Sequence, residues 1–322
     1  MEQLNAKQGD VLSSPKLSFN GDGATYFGIL IVNALLMIVT LGFYYPWARA
    51  KQLQYLYSST EMEGSRFSWN GTGAEIFKGF IKAVGILVVL VIVMSIFRWA
   101  GLPALSILVY IAFLVFILPV AIHGANRYHW SRTSWRSIRF GYRGNRGEFI
   151  KLFIREMLLT LVTLGFYGSW AAMNIRNYII GNIRFGSGEF YYDGDGWEFF
   201  KLNIKGYFLT LITLGIYVFW WQADIFRYSI EKLRLLHGEK AYNMYSTASG
   251  GKFAGLLIVN ALIFIFTLGL GYAWVQVRTI QFLMNNVEID GNIVLADLEQ
   301  TEEEYRDATG EDLADMFDLS II

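Results

Sequence analysis

The sequence predicts an all-α, polytopic membrane protein of about six transmembrane helices, with interfacial or re-entrant amphipathic helices between them. Three observations carry that expectation. Hydrophobic residues make up 54% of the 322 residues and charged residues only 17%, against roughly 25% charged in a typical soluble domain. Six apolar runs, near 24–44, 76–97, 102–122, 149–169, 198–221 and 253–275, approach the ~20 residues that a bilayer-crossing helix needs. One motif also returns four times: Thr40, Gly42 and Trp47; Thr163, Gly165 and Trp170; Thr213, Gly215 and Trp220; Thr267, Gly269 and Trp274. In each copy Thr-Leu-Gly closes an apolar run and the Trp stands seven residues after the Thr. A fixed spacing of this kind marks tandem repeats, here of roughly fifty residues.

In chain order, residues 1–18 are polar, hold no apolar segment of the signal-peptide kind, and read as a flexible N-terminal segment. A repeat-built membrane domain then covers 19–291, with units starting near 19, 67, 140, 190 and 245. Each unit opens on an aromatic–glycine lead, such as Phe19-Asn20-Gly21-Asp22-Gly23 or Phe190-Tyr191-Tyr192-Asp193-Gly194-Asp195-Gly196. A span follows, then the Thr-Leu-Gly break, the Trp and an amphipathic stretch. In Ala48–Ser58, Arg49, Lys51, Gln52 and Gln54 alternate with Leu53, Tyr55, Leu56 and Tyr57, a pattern suited to the bilayer interface. Trp170–Arg184 and Asp224–Leu236 read the same way. The second unit lacks Thr-Leu-Gly. Its two apolar runs, parted by Arg98 and Gly101-Leu102-Pro103, read as a tight transmembrane hairpin. His123 to Arg155 is a basic loop. After a polar strand-like piece at Val287–Gly291, residues 292–322 form an acidic C-terminal tail.

Topology sets two arguments against each other. Six simple crossings would put consecutive motifs on opposite faces. Yet each motif is followed by bases (Arg49 and Lys51; Arg176 and Arg184; Arg227, Lys232 and Arg234; Arg278), which the positive-inside tendency would gather in the cytoplasm. Either the amphipathic helices re-enter or the repeats are inverted. Near-identical sequences imply near-identical surroundings, which favours units of one orientation.

Seven residues before each motif Thr stand Asn33, Glu156, Gly206 and Asn260. Seven residues is two helical turns, so these share a face with the Thr. This polar intramembrane column has a functional reading, a path or binding site within the bundle. It also has a structural one, hydrogen-bonding glue between closely packed helices. The Thr-Leu-Gly break reads as a helix terminator with interfacial aromatics, or as a hinge. The glycine-rich leads lack the Lys-Ser/Thr pair of a phosphate loop. The chain has no Cys, and His123, His129 and His237 stand in no metal-ligand spacing. No catalytic residue, metal site or cofactor is therefore expected, and an enzyme is the weakest reading. The Arg cluster at 127–146, with Tyr128, Trp130 and Trp135 interleaved, mimics a nucleic-acid patch. Between membrane spans it reads instead as an anionic-lipid contact.

The lead, the Asn-x-Leu run and the Thr-Leu-Gly-x-Tyr-x-x-Trp motif resemble the YjgN-like bacterial inner-membrane proteins, a family of unknown function. The resemblance covers about Phe19 to Gly291. It implies a multi-pass protein of the bacterial cytoplasmic membrane and brings no catalytic residues. The last copy departs from it, with Gly271 where the others have Tyr, and Tyr272 one place later. Two functions follow: a transporter or channel for a small solute, suggested by the polar column, and a structural or partner-binding membrane protein, suggested by the acidic tail and basic loop.

Overall fold

The glycine-rich leads set where the helices begin. Their last polar residue is a helix N-cap: Asp22 accepts from the Thr25 backbone amide, Thr72 from Glu75, Asn145 from Glu148, Asp195 from Glu198 and Ser249 from Lys252. Side chains of these types satisfy amide donors that have no partner inside the helix. The amide and hydroxyl of Thr25 hold the Asp22 carboxyl below its ordinary range. The aromatics of the leads, a few residues earlier, are not membrane-surface turns. They lie in β-strands, and this overturns the all-α expectation.

This structure, a computed structural model, describes residues 16–290 and 298–301. Most of the flexible segment expected at 1–18 and most of the acidic tail expected at 292–322 lie outside the described residues. The element order is β-α-α-β, five times over. The first set is β1 (Leu17–Phe19), α1 (Gly23–Val39), α2 (Tyr45–Ser58) and β2 (Thr60–Met62). The second is β3 (Ser65–Trp69), α3 (Gly73–Trp99), α4 (Pro103–Ser131) and β4 (Thr133–Trp135). The third is β5 (Ile138–Tyr142), α5 (Arg146–Val162), α6 (Gly168–Gly181) and β6 (Ile183–Phe185). The fourth is β7 (Gly188–Tyr192), α7 (Gly196–Ile212), α8 (Val218–Glu231) and β8 (Leu233–His237). The fifth is β9 (Lys240–Ser246), α9 (Gly250–Phe266), α10 (Tyr272–Asn285) and β10 (Val287–Ile289).

The strands pair antiparallel in sequence order, β1 to β10. A bridge between Lys16 and Glu288 brings the first edge onto the last strand, so the sheet is a nearly closed barrel. Two-residue turns link neighbouring sets, for example Glu63-Gly64 and Arg136-Ser137, all four residues at positive φ. Such turns match the twist of the strands they join. The barrel is filled. Phe140 stacks on Phe185 with ring centroids 4.3 Å apart, Phe67 and Phe190 each lie 6.3 Å from Phe140, and Trp135, Leu235 and Met244 complete the packing. Leu298 joins this core, held by the amide of Ser187 donating to Glu299 O at 2.9 Å and by Thr301 Oγ1 donating to Gly186 O at 2.7 Å.

Each helix pair leaves the barrel and returns to it, so the five helix–helix turns lie at the ends remote from the strands. Four of them are the Thr-Leu-Gly motifs. Thr40 Oγ1 donates to Leu36 O and accepts from the Tyr44 amide, and Thr163, Thr213 and Thr267 make the same two bonds. The Gly42 amide donates back to Met37 O at 2.7 Å, the 6→1 bond of a Schellman helix ending.

This ending corrects the count of six spans. The apolar runs continue through the Thr-Leu-Gly turn into the return helix, but the helices do not: α1, α5, α7 and α9 stop at 17 residues, about 25 Å. Among the described residues only α3 and α4, of 27 and 29 residues, are long and apolar enough to cross a bilayer. The stretches expected as long amphipathic helices also stop early. Residues 183–185 and 233–237 are strands.

The motif Trp fixes one hairpin to the next. A Cβ placed on Gly73 would lie 2.4 Å from the Trp47 ring, on Gly196 2.3 Å from Trp170, on Gly250 2.3 Å from Trp220, and on Gly23 2.4 Å from Trp274. The last of these closes the ring of helices, fifth set on first. The third residue of α2, α6, α8 and α10 thus lies against the first residue of the next outward helix, and these four hairpins lean over their neighbours.

Two kinds of glycine are thereby distinguished. Gly165→Ala meets open space but sits at φ +93, so it costs about 1 kcal/mol through backbone strain. Gly196→Ala meets Trp170 Cα at 2.7 Å as well as the ring and costs ~1–3 kcal/mol through overpacking. Thermal unfolding of the detergent-solubilised protein should rank them in that order. Trp170→Ala should not rescue Gly196→Ala, because the backbone contact stays.

Candidate functional site

At each Thr-Leu-Gly turn the Leu itself is in the left-handed region: Leu41, Leu164 and Leu214 at φ 50 and Leu268 at φ 51. A side chain there costs roughly 1–2 kcal/mol, and Gly or Asn is the usual occupant. These leucines are also 89–94% exposed. A strained, bare leucine at four hairpin tips is unfavourable in water and favourable in hydrocarbon. The neighbours agree: Ile38, Val39, Phe43, Leu161, Val162, Phe166, Ile212, Ile216, Phe266 and Leu270 are exposed too. The five turns carry no charged residue, the nearest being Arg98 in the last turn of α3, while bases concentrate near the barrel.

The depth of the apolar zone differs between hairpins. In α5 and α7 the last bases before the tip are Arg155 and Lys205, nine residues ahead of Leu164 and Leu214. At 1.5 Å per residue that is about 13 Å, close to half of a ~30 Å hydrocarbon core. On the return helices the polar residues Arg49, Asn174, Gln222 and Gln276 follow within two turns of the start. In contrast α1 has no charged residue, and α9 has only Lys252, at its base.

The four column residues are buried and stay apart. Each bonds or packs within its own hairpin. Asn33 Nδ2 donates to Ala48 O at 3.3 Å. Asn260 Nδ2 donates to Thr279 Oγ1 at 3.0 Å and accepts from Arg278 Nε at 3.3 Å. Gly206 lets the Trp221 ring approach to where a Cβ would lie, 2.3 Å away. Glu156 is fully buried. It accepts from Asn174 Nδ2 at 3.0 Å and from Arg155 Nε at 2.9 Å, the Arg155 side chain itself being 62% exposed. The motif aromatics stack in pairs, Tyr44 on Trp47, Tyr167 on Trp170 and Tyr217 on Trp220. Each Trp also faces the neighbouring hairpin.

The basic stretch 127–146 is not a loop. It comprises the end of α4, the strands β4 and β5, and the cap of α5. Four of its six arginines fall into two groups. Arg136 serves the barrel turn, donating to Glu63 O at 2.7 Å and lying 4.3 Å from the Trp135 ring centroid. Arg127, Arg132 and Arg146 face a cleft of about 850 Å³ between α2, α3, α4 and the start of α5, where Arg49, Lys78 and Lys82 join them. Sequence reading did not assemble this group. The signal available was the i,i+4 pair Lys78 and Lys82 at the base of the one span-length hairpin.

The chain belongs to the family described as bacterial protein of unknown function (DUF898), whose profile matches residues 14–201 and 221–316. Inner membrane protein YjgN of Escherichia coli O157:H7 is 37% identical over 124 residues, which is 38% of this chain and 30% of the relative. YjgN of Escherichia coli strain K12 is 35% identical over 124 residues, with the same coverage. YjgN of Salmonella typhimurium is 30% identical over 127 residues, 39% of this chain and 31% of the relative. The matched segment spans less than a third of the length of these relatives. No solved structure matches. The family resemblance read from the motifs holds. With the two apolar helices, it places the chain in the bacterial inner membrane.

Glu156 offers a direct test of the column as glue. Glu156→Ala removes a fully buried carboxylate and its bond from Asn174, a loss of about 1.5–3 kcal/mol for hydrogen bonds to a charged group. Glu156→Gln keeps an acceptor for Asn174 and should lose less. The ordering wild type, Gln, Ala in unfolding midpoint is the expected result.

Proposed function

We propose that this member of the family is a non-conducting membrane protein with a structural or binding role, its barrel standing at the cytoplasmic face. The observation that carries the reading is the filled barrel. Stacked aromatics occupy its interior, and a solute path along its axis would have to displace them. The column residues support the same reading, since their polar groups serve the pairing of helices within hairpins. Such groups are costly in a membrane unless satisfied.

In this reading the chain is built of five β-α-α-β units and enters the bilayer from one side. The hairpin α3–α4 crosses it twice. The four Thr-Leu-Gly hairpins enter the near leaflet and return. The excess of bases near the barrel favours the cytoplasm for that side, and some of those bases meet anionic lipid.

Topology can be read by single cysteines, since the native chain has none. Ala100→Cys, in the α3–α4 turn, should react with an impermeant maleimide in intact cells. Glu239→Cys, in a barrel turn, should react only after lysis. Leu214→Cys should resist the impermeant reagent on both sides and accept a permeant one. Labelling of Leu214→Cys in intact cells would mean that the Thr-Leu-Gly hairpins cross.

Function is read by proton and small-solute leak from proteoliposomes. The reconstituted protein should match empty liposomes. A leak lost in the combined Asn33→Ala, Glu156→Ala, Asn260→Ala variant, with folding retained, would restore transport.

A further inference from the structure

At four of the five junctions between hairpins a Trp lies against a Gly. The junction of α4 with α5 is built otherwise. Counting eleven residues back from the last residue of each return helix gives Trp47, Trp170, Trp220 and Trp274, and in α4 it gives Val120. The first residue of the outward helix is Gly23, Gly73, Gly196 and Gly250, and in α5 it is Arg146. Both halves of the Trp–Gly contact are thus replaced together, by a smaller residue and a charged one. Val120 and Arg146 both line the 850 Å³ cleft. His123 takes over part of the joining, its Nε2 lying 2.9 Å from Gly144 O and its ring 6.0 Å from Phe149.

The cleft is basic. Arg49, Lys78, Lys82, Arg127, Arg132 and Arg146 line it against one carboxylate, Glu75. That carboxylate is engaged, accepting from Arg132 Nη2 and Nε at 3.0 and 3.2 Å and from Tyr128 Oη at 3.0 Å. Its position is equally specific. Lys82 and His123 mark where the apolar stretches of α3 and α4 begin and end on the barrel side. The wall next to them is apolar, with Phe80, Ala83 and Val120. Two glycines of the lining, Gly79 and Gly124, face open space, with nothing within 4 Å of an added Cβ.

We infer that this cleft binds the phosphate headgroup of an anionic phospholipid, with its acyl chains along the apolar wall of α3 and α4. A phosphate is recognised by several converging cations. Basic pockets between membrane helices on the cytoplasmic side suit phospholipid headgroups. The volume lies in the 300–1,000 Å³ range of ligand sites, well beyond a lone inorganic phosphate. The inference deepens the membrane reading above and rests on it, because that reading puts the mouth of the cleft at headgroup level.

The test is native mass spectrometry of the full chain in detergent, titrated separately with phosphatidylglycerol, cardiolipin, phosphatidylethanolamine and soluble glycerol phosphate. Saturable binding of an anionic lipid is expected, at least tenfold tighter than the zwitterionic one. K78Q/K82Q/R127Q should weaken it about tenfold or more. Gly124→Phe, whose added Cβ meets nothing within 4 Å and whose ring takes up cleft volume, should do the same while leaving the unfolding midpoint in place. Arg136→Gln and Arg234→Gln, on the barrel, should change nothing. Equal affinity for the two lipid charges, or insensitivity to Gly124→Phe, overturns the site. Binding of glycerol phosphate as tight as lipid overturns the lipid assignment and makes the ligand a soluble phosphate. Detergent binding does not depend on sidedness, so a failed labelling pattern for Ala100→Cys and a failed titration are separate outcomes.

Discussion

The packing of a tryptophan onto a helix-starting glycine is the constraint on which the rest of the arrangement depends. No hairpin of two short helices could bury much of its own surface, and 17 residues is near the lower limit for a helix without tertiary support. Stability must come from neighbours. Trp47, Trp170, Trp220 and Trp274 each fill the space over the next hairpin's first residue, and only a residue without a Cβ leaves that space free. Because Trp274 reaches Gly23, and His123 joins α4 to the start of α5, the helical layer has no open end. The bridge of Lys16 to Glu288 does the same in the sheet. Two closures at different levels fix the same circular order.

Barrel and tips suit opposite solvents. Bonds such as Ser68 Oγ to Ser134 Oγ at 2.7 Å and Arg136 to Glu63 belong in water. Left-handed leucines at the turns do not. Backbone strain at a tip is tolerated when surrounding structure offsets it. Here the turn's own bonds, backbone amide to Thr hydroxyl and Gly amide to carbonyl, hold the chain, and in the proposed arrangement hydrocarbon around the Leu supplies the rest. The polar column lies between these ends. Glu156 bonded to Asn174, and Asn260 to Thr279, keep the two helices of a hairpin paired.

Much of this is legible in the sequence. The fixed spacing of Thr, Gly and Trp, the recurring leads and the unlike second unit all correspond to distinct parts of the structure. What misled was the apolar run. Hydropathy measures transfer to lipid and does not register a turn whose residues are themselves apolar, so Leu41-Gly42-Phe43 passed as the end of a span. The strands were hidden for a related reason. They have three to seven residues, too few for an alternating pattern to stand out, and their register comes from the two-residue turns and long-range pairing rather than from their composition. The basic cleft needed Arg49, Lys78 and Arg127 from three helices, a proximity that no local pattern encodes.

The second unit shows what the regular arrangement leaves room for. Four hairpins use their junctions for packing, and a Trp against a Gly has no chemistry to spare. Replacing that pair by Val120 and Arg146 opens volume and adds charge in a single place. The consequence is cooperative. An arginine at the Gly position would clash with a tryptophan, and a valine at the Trp position beside glycine would leave an apolar void, which destabilises in proportion to its size. Only together do they give a polar-lined space that a ligand or water can fill. The same unit carries the two helices of span length, so the widened junction stands where the longest apolar surface meets the densest positive charge. An amphiphile with an anionic head satisfies both surfaces at once, and neither a soluble anion nor a neutral lipid does.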